Sequence, residues 1–253
     1  MPPRGRPTSP AAREAARAIA TRLRALEEGT LRTRAAARAL AAMEPGLAAE
    51  AVGALVDLAA AGQPQAVAAM GRAIAEGHVP YGARQAIYGA AAARGLDEVA
   101  AMLLAPRPHL AWEEPRDRDP RLAALTLGHK KSLARTHRDP DLLARLAAEG
   151  EPVVVRELLR NPRLTEAFAV RLAARRPCRP ETLRCLYDDR RWRTRPRVAL
   201  ALARNPYADT ELGLKILPTL GQRELAEIAA DGTVHVLLRA TAERLLDLRE
   251  RLA

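Results

Sequence analysis

Apolar residues recur at intervals of three and four along almost the whole chain, which is the spacing of one face of an α-helix. In the first such stretch, Ser9 and Pro10 mark a helix start and Gly29 marks its end. The positions expected to be buried in this helix are Ala12, Ala16, Ile19, Leu23 and Leu26. Further helices are expected to end at Gly62, Gly77 and Gly95. The pattern predicts an all-α protein with essentially no sheet.

The second half of the chain repeats the tripeptide Arg-Asn-Pro after 44 residues, in "LLRNPRLTEAFAVRL" (158–172) and "LARNPYADTELGLKI" (202–216). Proline lacks an N–H and disfavours helical backbone in the residue before it, so a helix should end near Asn161 and near Asn205. Thr165 and Asp209 then stand where a side chain can cap the next helix. Two apolar positions are predicted to be equivalent buried sites in the two copies: Phe168 and Leu212.

A shift of half that length, 22 residues, brings a weaker third copy into register, "KSLARTHRDPDLLARLA" (131–147). Its corner is Asp139-Pro140, and further turns are expected near Pro180 and at Asp231-Gly232. A helix, a corner and a second helix cannot bury an apolar face alone, whereas stacked copies can. The repeat therefore predicts stacked helical units.

This third copy, together with "VVVRELLRNPRLTEAFAVRLA" (153–173) and "RVALALARNPYADTELGLKIL" (197–217), resembles the HEAT-like and leucine-rich-repeat-variant α-solenoids. It also resembles helical-repeat proteins of GC-rich bacteria. The resemblance covers about residues 127–253 and implies a right-handed α-solenoid of helix pairs, with no particular activity. The last helix (234–252) is longer than a repeat helix and is interpreted as a C-terminal cap. Its expected buried side is Val234, Leu238, Ala242, Leu245, Leu248 and Leu252.

The segment "APRPHLAWEEPRDRDP" (105–120) carries four prolines and seven charges, which predicts a linker or an exposed loop. The chain is accordingly divided into an N-terminal helical region (1–105), the linker or loop (106–120) and a helical-repeat region (121–253). A solenoid that continues through the segment is the alternative.

Composition agrees with a helical core, because 48% of residues are hydrophobic and only 3% are aromatic. The formal charge of +11 comes almost wholly from arginine. A GC-rich genome also enriches alanine and arginine, so the placement of charge is more informative than its total. Two cysteines fit a reducing cytoplasm, and no apolar run is long enough for a secretory signal or a membrane span. We therefore expect a cytoplasmic location and no membrane partner.

Motifs for phosphate loops, dinucleotide binding, nucleophile elbows and H-E-x-x-H metal sites are absent from the sequence. Cys178 and Cys185 are seven apart, which is wider than the usual spacing within a metal-binding pair. They are interpreted as small buried thiols, and a composite site with His129 or His137 is the alternative. The sequence predicts no catalytic residue, no metal and no cofactor.

The strongest local signal is a basic segment, Arg175–Arg204, whose net charge is +7. Its candidate binding residues are Arg190, Arg191, Arg193, Arg195, Arg197 and Arg204, together with Trp192. Arginine binds phosphate bidentately, and an exposed tryptophan can stack on a base. The alternative is that Trp192 packs in the core while the arginines form a solvated surface, partly paired with Asp188 and Asp189.

Three arginines occupy the same repeat position at their corners: Arg138, Arg160 and Arg204. In a solenoid such positions line up along one face, so they are candidates for a basic ladder. The favoured function is a non-enzymatic scaffold that binds a protein partner. The alternative is nucleic-acid binding through the arginine-rich face.

A less favoured variant of that alternative is a DNA-repair enzyme like the HEAT-like alkylpurine DNA glycosylases. Such an enzyme would need aromatic residues and a carboxylate in a groove, for which Trp112, Trp192 and Asp188 or Asp189 are the candidates. No stretch of the chain matches the motifs of that family.

Overall fold

The computed structural model describes residues 8–27, 29–104 and 119–252. Throughout these ranges the regular structure is helical, and they contain no strand. The prediction of an all-α protein is confirmed.

In chain order, the first six helices are α1 (Pro10–Arg24), α2 (Thr30–Ala41), α3 (Pro45–Ala60), α4 (Gln65–Ala75), α5 (Tyr81–Arg94) and α6 (Asp97–Leu104). The next five are α7 (Pro120–Ala123), α8 (Leu127–Thr136), α9 (Pro140–Glu149), α10 (Pro152–Leu159) and α11 (Glu166–Ala174). The last six are α12 (Pro180–Asp188), α13 (Arg190–Arg193), α14 (Pro196–Ala203), α15 (Thr210–Ile216), α16 (Gln222–Ala230) and α17 (Val236–Leu252), with a short 3-10 helix at Leu217–Thr219 before α16.

Several helix ends follow local sequence chemistry. The Ser9 hydroxyl accepts a hydrogen bond from the Ala12 N–H at 3.2 Å, and Pro10 is the first residue of α1. The Thr165 hydroxyl likewise accepts from the Phe168 N–H at 3.3 Å at the start of α11. Three helices end within two residues of a glycine with positive φ, at Gly62, Gly77 and Gly95. These predicted starts and stops are confirmed. The predicted stop at Gly29 is wrong, because α1 already ends at Arg24 and Gly29 directly precedes α2.

The chain forms two compact units. Unit 1 contains residues 1–108 and 213–253, and unit 2 contains residues 109–212. Helix α15 includes the point at which the chain passes from unit 2 to unit 1. Most of the expected linker, including residues 105–118, lies outside the described residues. The sequence-based division at 105 and 120 stays a prediction.

Unit 1 is organised around α3, whose residues are buried on nearly all sides. Helices α1, α4, α5, α6 and α17 pack against it. Its sequence, "PGLAAEAVGALVDLAA", is rich in alanine and glycine, which allow neighbouring helices to approach closely. A core almost without aromatic residues is therefore filled by close helix packing.

Helix α17 packs against α3, α6 and α16 within unit 1. Its Arg244 guanidinium lies 2.8 Å from Asp57 Oδ1 and 2.8 Å from Glu98 Oε1, which ties α17 to α3 and α6. Four of the positions expected to be buried are buried: Val234, Leu238, Ala242 and Leu245.

The expectation for the last turns of α17 was wrong, since Leu248 is 42% exposed and Leu252 is 78% exposed. Arg249 instead contacts the segment before α16, where its guanidinium donates to the Leu220 and Pro218 carbonyls at 2.7 and 3.0 Å. The side of α17 that packs on the rest of unit 1 therefore includes Arg249, which the pattern of apolar residues does not predict.

In unit 2, α10 packs between α8 and α12, and α11 packs against α14. Both predicted corner helices bury their marker residues, since Phe168 and Leu212 are 9% and 3% exposed. The predicted burial of both residues is confirmed, while their equivalence as repeat positions stays a prediction. Helix α13 and the start of α14 carry the centre of the basic segment.

The two Asn-Pro corners share a hydrogen-bonding arrangement. The buried Asn161 amide donates to the Ala134 and His137 carbonyls, both at 2.9 Å, and its oxygen accepts from the Arg163 N–H at 2.8 Å. Each corner therefore fastens the end of one helix to the end of an earlier one.

At the second corner the Asn205 amide donates to the Ala173 and Arg175 carbonyls at 2.7 and 3.0 Å, and its oxygen accepts from the Tyr207 N–H at 2.9 Å. The partners are the last turn of α11 and the residue that follows it. This asparagine fixes α14 against α11.

The weaker third copy differs at its corner. Asp139 is exposed, and its carboxylate caps α9 by accepting from the Asp141 N–H at 3.0 Å. A carboxylate has no hydrogen to donate to backbone carbonyls, so it cannot reproduce the bonds of Asn161. The third copy therefore shares a turn with the other two at this corner, but it lacks the hydrogen bonds that the buried asparagine makes.

Candidate functional site

Trp192 lies in the core of unit 2, where it is 2% exposed. Its indole N–H donates to the Leu159 carbonyl at 3.2 Å, at the end of α10. Arg191 covers the ring, with its guanidinium carbon 4.2 Å from the ring centroid, and donates to the Leu164 carbonyl at 2.8 Å. Asp189 caps α13 by accepting from the Arg191 N–H at 2.8 Å. Trp192 therefore packs in the core, as the alternative interpretation of the sequence states, and its ring is not accessible for stacking on a base.

The other candidate arginines of α13 and its flanks are on the surface: Arg190, Arg193, Arg195 and Arg197. Arg195 Nη1 lies 3.9 Å from Glu166 Oε2, a distance at the outer limit of an ion pair. Arg190, Arg193 and Arg197 form no ion pair with any residue in the described ranges. Within the described part of the chain, these three guanidinium groups are therefore not paired with carboxylates.

The three corner arginines occupy different environments. Arg138 is exposed, and Arg160 is exposed with its Nη1 3.0 Å from Glu157 Oε1. Arg204 is half-buried, and its carbonyl accepts a hydrogen bond from Arg176 Nη2 at 2.7 Å. These contacts do not join the three guanidiniums into one row, so the ladder stays a prediction.

A cleft of about 340 Å³ lies between α11 and α14, and we call it the α11–α14 cleft. Its apolar floor consists of Val170, Ala174, Leu200 and Ala201. Its charged lining consists of Arg176, Arg197 and Arg204. Among the described residues, no acidic side chain lines the cleft. It therefore combines an apolar surface with three guanidinium groups.

Sequence reasoning identified Arg197 and Arg204 but omitted Arg176 and the apolar floor. The spacing contains part of the signal, because Val170 and Ala174 are four apart, as are Leu200 and Arg204. The first pair lies on α11, whereas Leu200 lies on α14 and Arg204 directly follows it, and only the packing of α11 on α14 brings the pairs to one cleft. The apolar pattern alone assigns such residues to the core.

The chemistry of the cleft favours an anion that also has an apolar part. Guanidinium groups bind carboxylates and phosphates through paired N–H donors. The floor has no polar side chain, so a hydrocarbon group that covers it removes apolar surface from water, which favours binding. A ligand with carboxylates beside an apolar side chain satisfies both parts of the site.

A second cleft, of about 500 Å³, lies between α6 and α17 in unit 1 and is lined by Asp97, Glu98, Arg239 and Glu243 among others. Glu98 is hydrogen-bonded to Arg244 at 2.8 Å. The Arg239 guanidinium donates to the Ala229 carbonyl at 3.4 Å. Glu98 and Arg239 therefore already take part in contacts within unit 1.

The two thiols are buried, as expected. Burial raises the pKa of the Cys178 thiol to about 11, so the thiol is protonated at neutral pH and is a poor metal ligand or nucleophile. The Cys185 thiol donates to the Pro152 carbonyl at 3.7 Å, and His129 lies exposed on α8. No group of three or more potential metal ligands forms among the described residues.

Comparisons of the chain with protein-family models, with curated proteins and with solved structures give no match. Within the ranges that the structure describes, no helix has the length and apolar character needed to cross a bilayer.

Proposed function

We propose that this protein is a non-enzymatic helical-repeat scaffold that binds a protein partner through the basic surface of unit 2, formed by Arg190, Arg193, Arg195 and Arg197 together with the α11–α14 cleft. The repeated units are, on this proposal, HEAT-like variant repeats of a right-handed α-solenoid. The last helix, α17, is on this proposal the long C-terminal capping helix. The recurrent asparagine contacts of Asn161 and Asn205 support the repeat.

The α11–α14 cleft is the observation that carries the proposal. Its floor is apolar and its charged residues are all arginine. Arginine is enriched among the residues that contribute most at protein interfaces, and the buried centre of an interface is more apolar than its rim. An acidic protein surface with exposed apolar side chains complements both, and no step of chemistry is required.

Nucleic acid is the competing partner, because Arg190, Arg193 and Arg197 are exposed and form no ion pair with the described residues. Single-stranded nucleic acid is bound by aromatic stacking as well as charge. The burial of Trp192 removes the aromatic platform that the basic segment would otherwise supply. The protein partner is therefore the favoured proposal.

A fluorescence-anisotropy titration across a salt series tests the proposal. The probes are a labelled copolymer of glutamate and leucine and labelled DNA and RNA oligonucleotides of equal charge. The copolymer should bind more tightly at physiological salt. Changing Arg190→Gln and Arg193→Gln together should weaken its binding about three- to tenfold, as expected for the loss of two charge contacts.

The matched control is the double change Arg17→Gln and Arg22→Gln, which removes the same charge from the exposed side of α1 in unit 1. The control should leave binding unchanged. Tighter binding of the oligonucleotides, with a salt slope near 0.9 per phosphate contacted, would replace the protein partner by nucleic acid. If both double variants lose the same amount of affinity, the effect comes from the net charge of the protein and not from this surface.

A further inference from the structure

We infer that the α11–α14 cleft receives an apolar side chain of an acidic protein segment, while the three arginines that line it bind the flanking carboxylates. This inference rests on the proposed function and specifies its ligand. It names a partner by chemistry: a short segment with leucine or a similar side chain between glutamates or aspartates.

The size of the cleft fits such a segment. Pockets for small molecules span about 300–1,000 Å³, and 340 Å³ lies at the small end of that range. It holds one or two side chains of a peptide and is too small for a large cofactor. The ligand therefore enters as a projecting side chain.

The floor is accessible apolar surface. Ala174 is exposed at the end of α11, while Val170 and Ala201 are half-buried. Hydrocarbon placed on this floor removes apolar area from water on both partners. An apolar side chain is thus favoured there over a phosphate or a base edge.

The charged lining is partly fixed in place. The hydrogen bond from Arg176 Nη2 to the Arg204 carbonyl, 2.7 Å long, connects the chain just beyond α11 to the end of α14. A guanidinium has five N–H donors, so this bond leaves donors of Arg176 for a ligand. Arg197 is exposed and has no ion pair with the described residues.

An acidic segment is favoured over a lone carboxylate because the arginines come from separate positions of the fold. Arg197 lies in the first turn of α14, whereas Arg204 follows its last residue, about two helical turns away. One carboxylate cannot span that length, but carboxylates on either side of an inserted side chain can. Charge and shape then select the same ligand.

The test uses the full chain and a fluorescein-labelled peptide in which leucines alternate with pairs of glutamates. Two matched peptides replace every leucine by serine or every glutamate by glutamine. Both replacements should weaken binding about tenfold or more, because each removes one of the two complementary features.

Two variants of the cleft are paired with controls on the same unit. Ala201→Gln places a longer polar side chain on the floor, and its control is Ala167→Gln on the exposed side of α11. Arg197→Gln removes a lining charge, and its control is Arg163→Gln, which is exposed and does not line the cleft. Gln is a good helix former, so both alanine changes should leave the fold intact, as circular dichroism can verify.

The cleft variants should each weaken binding of the leucine-glutamate peptide about three- to tenfold, while the controls change it less than about twofold. If the peptide binds and the cleft variants match their controls, the cleft inference fails and the basic surface still stands. If no acidic peptide or copolymer binds, the proposed function fails with it. Equal binding of the serine peptide would overturn the apolar part of the inference.

Discussion

At the scale of single residues, the Asn-Pro corners show why one side chain is suited to its place. Asn161 and Asn205 are 1% and 3% exposed, and each donates to two backbone carbonyls while accepting from a backbone N–H. The amide supplies two donors and an acceptor, whereas a serine hydroxyl has only one donor and the side chains of ionised aspartate and alanine have none. The asparagine that recurs in the sequence thus forms hydrogen bonds that join the ends of two helices.

Asn205→Asp should destabilise the protein by about 2–4 kcal/mol at neutral pH. The carboxylate cannot donate to the Ala173 and Arg175 carbonyls, and it leaves a buried charge beside two oxygens. Urea denaturation measures the change. The control is Asp139→Asn at the exposed α9 cap, where both residues cap well and the change should stay within about 0.5 kcal/mol. Similar losses at both corners would contradict the role assigned to Asn205.

The ion pair between Asp119 and Arg145 should stabilise the fold by an amount that depends on pH in the acid range. Hydrogen bonds from the Arg145 guanidinium lower the pKa of Asp119 from 3.8 to about 2. Because the folded-state pKa is the lower one, the unfolded chain binds the proton first as the pH falls. The stabilisation is therefore present above about pH 4 and is lost towards about pH 2.

The measurement is the free energy of unfolding of the natural protein and of Asp119→Asn over that pH range. Asparagine keeps an oxygen that can accept from the Arg121 N–H, so the cap of α7 survives while the charge is lost. The advantage of the natural protein should shrink as the pH falls from about 4 to about 2. A constant difference would show that the ion pair with Arg145 contributes no pH dependence.

At the scale of the element, local chemistry predicts where helices begin and end better than which of their sides is buried. Ser9, Pro10 and Thr165 mark starts that the structure shows, because capping depends on neighbours within a few residues. The buried side of α17 depends on other helices. In its last turns Arg249 bonds the Leu220 carbonyl, which no apolar spacing indicates.

Two leucines of α17 test this difference. Leu245 is 4% exposed and Leu248 is 42% exposed, although the apolar spacing places both on the buried side. Leu245→Ala should cost about 2–5 kcal/mol, as expected for a buried leucine. Leu248→Ala should cost less than about 1 kcal/mol. Chemical denaturation of the two variants gives the comparison, and equal costs would show that the sequence-based side was right.

At the scale of the whole molecule, residues 213–253 belong to the same unit as residues 1–108. Arg244 reaches Asp57 and Glu98 at 2.8 Å each, across 187 and 146 residues of chain. Nothing in the local sequence distinguishes this arginine from its many neighbours of the same type. The assignment of α17 to unit 1 is a property of tertiary packing.

Three properties of the molecule follow from the sequence alone: the helical class, the corner positions and the concentration of positive charge. Each of these depends on residues close in the chain, through the period of apolar positions, the backbone limits of proline and the shortage of nearby acids. Phe168 and Leu212 were identified as buried for the same reason, since each follows an Asn-Pro corner at a fixed distance.

Tertiary packing decided two other features. One is the burial of Trp192, and the other is the cleft in which an apolar floor is lined by Arg176, Arg197 and Arg204. Burial of a side chain depends on what packs over it, and the carbonyl that Trp192 bonds belongs to Leu159, 33 residues earlier. The cleft likewise exists because α11 lies against α14, which Asn205 secures through carbonyls about 30 residues away. Such contacts depend on how separate helices fit together in space, and a periodic pattern along one helix does not contain that information.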